Sequence, residues 1–404
     1  MRVLGLMFVL VLTLALSGCG ATGKSGVRLA GARATDSATS ADCAHVVLQA
    51  LTQVASRIYG QAGEGRTIAA ARSRIEHSQA LRDAVEQGDR AGVQRVLPGL
   101  IKGQIVRVHI RHGKHTLASY GTRSALAPAS GQLRNAAGRA VGRYELAVQG
   151  QEGFRKTIAG LTDTTVRVQA VSGSGGGAGK TAKVDNGGLT RSFRARAFPA
   201  GRLRVSLQLK GAPPVAMCGV TTAQTSANAI GVVGERIYAA ERSGPRVVAV
   251  ARHVASFAPL VQAVAAGNAL ATRAAIDALF GAHLHIVRVR ATRGDQLVAD
   301  VGGADVLAPV SVPLRDPAGH TFGAAQISLQ DDKGYIALAH RFTGAQVLLR
   351  SGARQVMGTL DPGPRGVPRS GPVLDGDTNY QAYSFTGEAF PAGALRISLL
   401  TPSE

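Results

Sequence analysis

Six polar side chains in the C-terminal half are of the types that could hold a small polar ligand: Asp300, Ser311, Arg315, Asp331, Tyr335 and Arg341. Carboxylates and guanidinium groups pair with charge, and hydroxyls fix orientation. A binding pocket needs only a few such groups converging on an apolar wall. The set is picked out by comparison within the chain. Where the C-terminal half has Asp300, Asp331-Asp332, Tyr335, His340 and Arg341, the N-terminal half has Ser119, Gly150-Gln151, Phe154, Ala159 and Gly160. Asp331-Asp332 has a second reading, as the cap of a turn after a strand.

The comparison is possible because most of the chain is written twice. Arg57-Ile58-Tyr59 recurs as Arg236-Ile237-Tyr238, a shift of 179. Ile105-Val106-Arg107-Val108 recurs as Ile286-Val287-Arg288-Val289, and Leu126-Ala127-Pro128 as Leu307-Ala308-Pro309, both shifted by 181. Ala197-Phe198-Pro199-Ala200-Gly201 recurs 192 positions later, from Ala389. The drift implies an eleven-residue insertion in the second copy, near Asp361–Asp377. Two homologous domains are expected, 43–212 and 218–404, joined at Ala212-Pro213-Pro214. A chain of 404 residues has room for two or three domains.

Each copy begins as helix. Val47, Leu51, Val54 and Ile58 share one helical face. A second helix is expected over Arg72–Val85 and Val248–Val264, stopping at Gly88 and Gly267, and a third over Arg90–Leu97 and Leu270–Phe280. Alternating runs then read as strands: Ile105–Ile110, Thr116–Tyr120, Gly142–Gln149, Thr165–Gln169 and Leu203–Leu209. The second copy repeats them at Ile286–Ala291, Gln296–Val301, Phe322–Gln330, Gln346–Arg350 and Leu395–Leu400. Helices followed by a roughly five-stranded antiparallel sheet make an α+β class for each copy.

The N-terminus fixes an expected compartment. Arg2, an apolar run from Val3 to Leu16 and small residues before a cut form a secretory leader, too short for a comfortable membrane span. Leu16-Ser17-Gly18-Cys19 resembles the lipobox of bacterial lipoproteins. The resemblance implies a signal peptide over 1–18 and acylation of Cys19, which becomes the mature N-terminus on the outer face of the cell membrane. The alternative is a plain secretory leader that contains a cysteine. Residues 19–42 then read as lipid anchor and flexible tether, rich in Gly, Ala, Ser and Thr.

With an exported location, the layout resembles the Cache superfamily, PAS-like extracytoplasmic sensor domains also called PDC domains. The best-matching stretch is Leu297–Thr343. The resemblance implies a long N-terminal helix behind a central antiparallel sheet, and a small-molecule pocket on the sheet's other face. The amino-acid-binding motif of one large Cache branch is not found.

Charge and motifs narrow the function. Lys+Arg 46 against Asp+Glu 25 gives +21. The excess is in the first copy: 57–210 carry 26 basic and 9 acidic residues, 218–404 carry 16 and 14. A basic domain outside a membrane attracts anionic headgroups or wall polymer. Nucleic acid is a poor partner, having no motif here and the wrong compartment. Ser174–Thr181 imitates a phosphate loop but reads as a flexible loop. His109, His112 and His115 do not share a strand face, and His283 with His285 has no counterpart in the first copy, so no metal or other cofactor is expected. Cys43 and Cys218 could form a disulfide stapling the two domain starts, or remain two buried thiols. No catalytic motif appears, so an enzyme is not expected. The expectation is a sensor or small-ligand-binding lipoprotein acting through a membrane-spanning partner, binding mainly through the second copy. The alternative is a structural envelope lipoprotein whose basic first domain holds anionic polymer or membrane.

Overall fold

The computed structural model describes residues 32–404 except 102–104, 172–187, 199–200, 283, 305, 392 and 404, with side chains from Asp42 onward. The chain divides into two units, Met1–Thr39 and Ser40–Glu404. Cys19, the leader and the loop 174–181 lie outside the described residues, as does His283.

The first copy opens with α1 (Ala32–Glu64), α2 (Arg66–Glu76), α3 (Gln79–Glu86) and α4 (Arg90–Leu100). Helix α1 begins inside the stretch read as a tether. Val47, Leu51, Val54 and Ile58 are all buried on its face. The single second helix expected over Arg72–Val85 is two helices. Ser78 breaks it: its hydroxyl accepts from Leu81 N and starts a new helix. The second copy splits at the matching place, before Pro259 in the first turn of its own third helix.

Strands β1 (Arg107–His112), β2 (His115–Gly121), β3 (Ala125–Leu126), β4 (Ala129–Arg134), β5 (Ala140–Ala147) and β6 (Gln149–Gly150) follow. Then come α5 (Gln151–Thr162), β7 (Thr164–Ala170), β8 (Thr190–Arg196) and β9 (Arg202–Leu209). The second copy, after a short 3-10 turn at Val215–Met217, has α6 (Thr222–Ser243), α7 (Pro245–Ser256), α8 (Ala258–Ala265) and α9 (Ala269–Gly281). It continues with β10 (Arg288–Arg293), β11 (Gln296–Gly302), β12 (Val306–Leu307), β13 (Val310–Arg315), β14 (Thr321–Ser328) and β15 (Gln330–Asp331). It ends with α10 (Asp332–Thr343), β16 (Gln346–Ser351), β17 (Arg354–Gly358), β18 (Ser370–Asp375), β19 (Thr378–Glu388) and β20 (Ala394–Pro402).

The class is α+β with antiparallel sheets, but one five-stranded sheet per copy is not what forms. Each copy has two main sheets separated by a helix. The first sheets run β2-β1-β5-β4 and β11-β10-β14-β13. The second sheets run β7-β9-β8 and β17-β16-β20-β19-β18. The copies match to the bulge: pairing slips between Ile110 and Arg111 in one, and between Ala291 and Thr292 in the other.

Three large cores result. One lies between α2–α4 and the first sheet, around Ile75, Leu81, Val108, Ile110 and Leu146. Its equivalent, around Val254, Ile276, Val289 and Ile327, lies under α7–α9. The third belongs to both copies and joins α1, α5, α6 and α10 to the second sheets, through Leu51, Phe154, Val205, Val233, Tyr335 and Ile397. Contacts across it are reciprocal. Arg236 Nη1 donates to Leu161 O at 3.1 Å, beside the left-handed C-cap Asp163 of α5. Arg57, its counterpart, lies against the left-handed C-cap Gly344 of α10, where a Cβ would collide with the guanidinium. Cys43 and Cys218 are joined as a disulfide, with Cα atoms 5.6 Å apart. No single helix among the described residues is long and apolar enough to cross a membrane; α6–α7 with α8 passes only as a bent pair.

Candidate functional site

The first sheet of each copy turns Val108 and Ile110, or Val289 and Ala291, toward its helices. Strand alternation sends the intervening residues to the other face. There the register lines up Asp300, Arg290, Gln326 and Ser311 in one row across β11, β10, β14 and β13. The first copy has Ser119, His109, Glu145 and Ser130 in the same row.

In the second copy this row is closed upon itself. Asp300 takes Arg288 Nε and Nη2 at 2.8 and 2.9 Å, a bidentate pair, and lies 3.8 Å from Arg290 Nη1. Arg288 Nη1 also donates to Gly303 O and Ala304 O, and the guanidinium stands 4.7 Å over Phe390. In the first copy burial holds the His109 imidazole below its ordinary range, helped by Arg111 and Arg107. Burial pushes the Glu145 carboxyl above its range, against the pull of Arg196 and Arg107. His109 Nε2 lies 3.0 Å from Thr116 Oγ1.

Of the six residues singled out from the sequence, only Asp300 and Ser311 share this row. Arg315 Nη1 donates to Gly319 O at 2.8 Å. Arg134 makes the same bond to Gly138 O at 2.8 Å in the first copy, so this arginine locks a turn in both. Asp331 caps α10, its Oδ1 accepting from Gly334 N at 2.6 Å, which is the capping alternative. Tyr335 is fully buried in the shared core, donates to Gly234 O at 3.1 Å and meets Tyr238 edge-on. Arg341 is exposed at the end of α10. None of the six lines the groove that borders the row.

A groove of about 480 Å³ does border the row, lined by Pro309, Gln326, Thr386, Glu388 and Pro391 among others. Arg288, Arg290 and Gln326, and their counterparts Arg107, His109 and Glu145, escaped selection from the sequence. The signal for Arg107 and Arg288 was present, since they hold the same place in the repeated Ile-Val-Arg-Val block. No group of three His, Cys, Asp or Glu side chains that could hold a metal occurs among the described residues.

No family model matches the chain, and no curated protein matches it. Among solved structures, 38% of the chain resembles 39% of an extracellular ligand binding receptor from Desulfohalobium retbaense DSM5692. The identity is 12% and the TM-score 0.22, a level that defines neither family nor function.

Proposed function

We propose that the chain is an extracytoplasmic, lipid-anchored protein built of two PAS-like, Cache-like copies that bind a small ligand and act through a membrane partner. The observation that carries the binding part is the polar face of each first sheet, opposite its helices, with the groove beside Gln326. Helices stacked on one side of an antiparallel sheet, leaving the other side polar, suit a ligand held against strands. The anchor and location rest on Leu16–Cys19 alone. The reading is of a binder, not an enzyme, and needs no cofactor and no nucleic acid.

The test is a thermal-shift screen of residues 42–404 with organic acids, amino acids, nucleosides, sugars and metal ions. A ligand at about 100 times its Kd stabilises by roughly 2.7 kcal/mol. A blank across all classes removes the binding reading. Separately, Cys19→Ser is expected to release the protein from the membrane fraction, and retention there overturns the anchor.

One observation favours an envelope-scaffold role. Arg111 and Arg143 face each other across β1 and β5, where the second copy has Thr292 and Ala324. Like charges directly opposite are destabilising, and an anionic polymer would relieve them. Co-sedimentation with purified envelopes that weakens with salt supports this role; salt-independent sedimentation removes it.

A further inference from the structure

Arg107 and Arg288 sit in the same frame, and what completes the frame differs. Arg107 Nη1 donates to Thr122 O at 2.9 Å and Arg123 O at 2.6 Å. These are the counterparts of Gly303 and Ala304, the acceptors of Arg288 Nη1. The Arg107 guanidinium stands 5.0 Å over Phe198, as Arg288 does over Phe390. The second copy fills the remaining Nε–Nη2 edge with the Asp300 carboxylate. The first copy has Ser119 at that position, paired with His109 in the same register.

Serine carries a hydroxyl where aspartate carries a carboxylate, and cannot offer two acceptor oxygens. Arg107 Nε is accordingly buried with no hydrogen-bond partner. Arg107 also has no ion pair among the described residues. The one carboxyl on the row, Glu145, stands opposite His109 on β5; Arg107 pulls on it across space without forming an ion pair. A buried donor with no acceptor is costly, and a charged one more so.

We infer that the Nε edge of Arg107 is a binding site for the carboxylate of a small ligand, which supplies from outside what Asp300 supplies within the second copy. The planar fork of arginine matches a carboxylate bidentately, and Asp300 displays that match 181 positions away. The inference rests on the reading of the chain as a ligand binder, names the ligand's class, and moves the site to the first copy.

The experiment follows the arginine Nε–H signals of the intact chain, labelled at arginine and held in detergent micelles. Acetate, benzoate and inorganic phosphate are titrated at constant ionic strength. The Arg107 signal, assigned with Arg107→Lys, is expected to move saturably with the carboxylates and less with phosphate. In Ser119→Asp it should already lie near the Arg288 position, with carboxylate affinity reduced about tenfold or more, the loss of one charge-assisted hydrogen bond. Asp300→Ser should open a second, equivalent site at Arg288, with an unchanged Arg107 signal reporting that the fold is kept. An Arg107 signal that ignores both carboxylates, or binding undiminished in Ser119→Asp, overturns the assignment. If carboxylates bind but move only other signals, this site falls and the binder reading stands. If nothing in the broader panel binds, both fall.

Discussion

In the second copy the arginine at the start of the first sheet finds its carboxylate inside the protein; in the first copy its counterpart does not. Asp300 neutralises Arg288 and approaches Arg290, whereas Ser119 leaves Arg107 without a carboxylate. Thr292 opposite Ala324 is neutral, whereas Arg111 opposite Arg143 is repulsive. Helix α10 is capped by the Asp331 side chain, whereas α5 starts at Gly150 with no side-chain cap. The same strands in the same registers thus hold one arginine that the chain itself neutralises and one that it does not. A duplicated scaffold does not imply duplicated chemistry.

The largest test asks whether the copies are separate at all. Phe154→Ala and Tyr335→Ala remove counterpart rings from the shared core, and each is expected to cost about 3–5 kcal/mol. Calorimetry should show one transition falling in both variants; a transition that shifts in one copy alone would mean the core does not couple them. Replacing Cys43 and Cys218 together by Ala should cost about 2–4 kcal/mol in denaturant unfolding.

Next comes the charge contrast. Asp300→Ala strands the Arg288 guanidinium and is expected to cost about 1.5–3 kcal/mol, while Ser119→Ala stays within about 0.5 kcal/mol. Equal losses would erase the asymmetry. Asp331→Ala should cost about 1 kcal/mol through the lost cap, measured by chemical denaturation.

The smallest effect is a pH dependence. The folded state raises the Glu145 pKa, so this group's stabilising contribution is present below the ordinary carboxylate range and lost as pH rises through the folded value. Glu145→Gln, the residue type of the second copy at Gln326, should therefore stabilise the protein at neutral pH and lose that advantage in acid. The folded state lowers the His109 pKa, so its contribution runs the other way, present above the ordinary imidazole range and lost as pH falls. His109→Gln should flatten the stability profile between neutral pH and mild acid.

Much of the layout was legible because it is local. Helical faces such as Val47-Leu51-Val54-Ile58 and the alternating runs of the β1–β2 and β10–β11 hairpins follow from periodicity. Helices α5 and α10 were missed: Gly153, Gly160 and three residues of threonine or isoleucine weaken the signal in α5, and Phe154 and Ile158 hold it only by packing in the shared core. Strand β13 was missed because Pro313 interrupts it, which an edge strand tolerates. The partition into two sheets depends on pairing across long separations, which alternation cannot show. At the candidate site, comparing copies exposed Asp300 because it differs and hid Arg288 because it repeats.

The reciprocal seat of Arg57 on Gly344 and of Arg236 beside Asp163 is the arrangement of a two-fold dimer carried within one chain. Two identical chains meeting this way would separate on dilution, and every substitution would appear on both faces at once. Linked as one polypeptide, the halves meet at a local concentration set by the linker rather than by abundance. Each face is then free to diverge alone, and a single event on one face alters one side of an otherwise symmetric body.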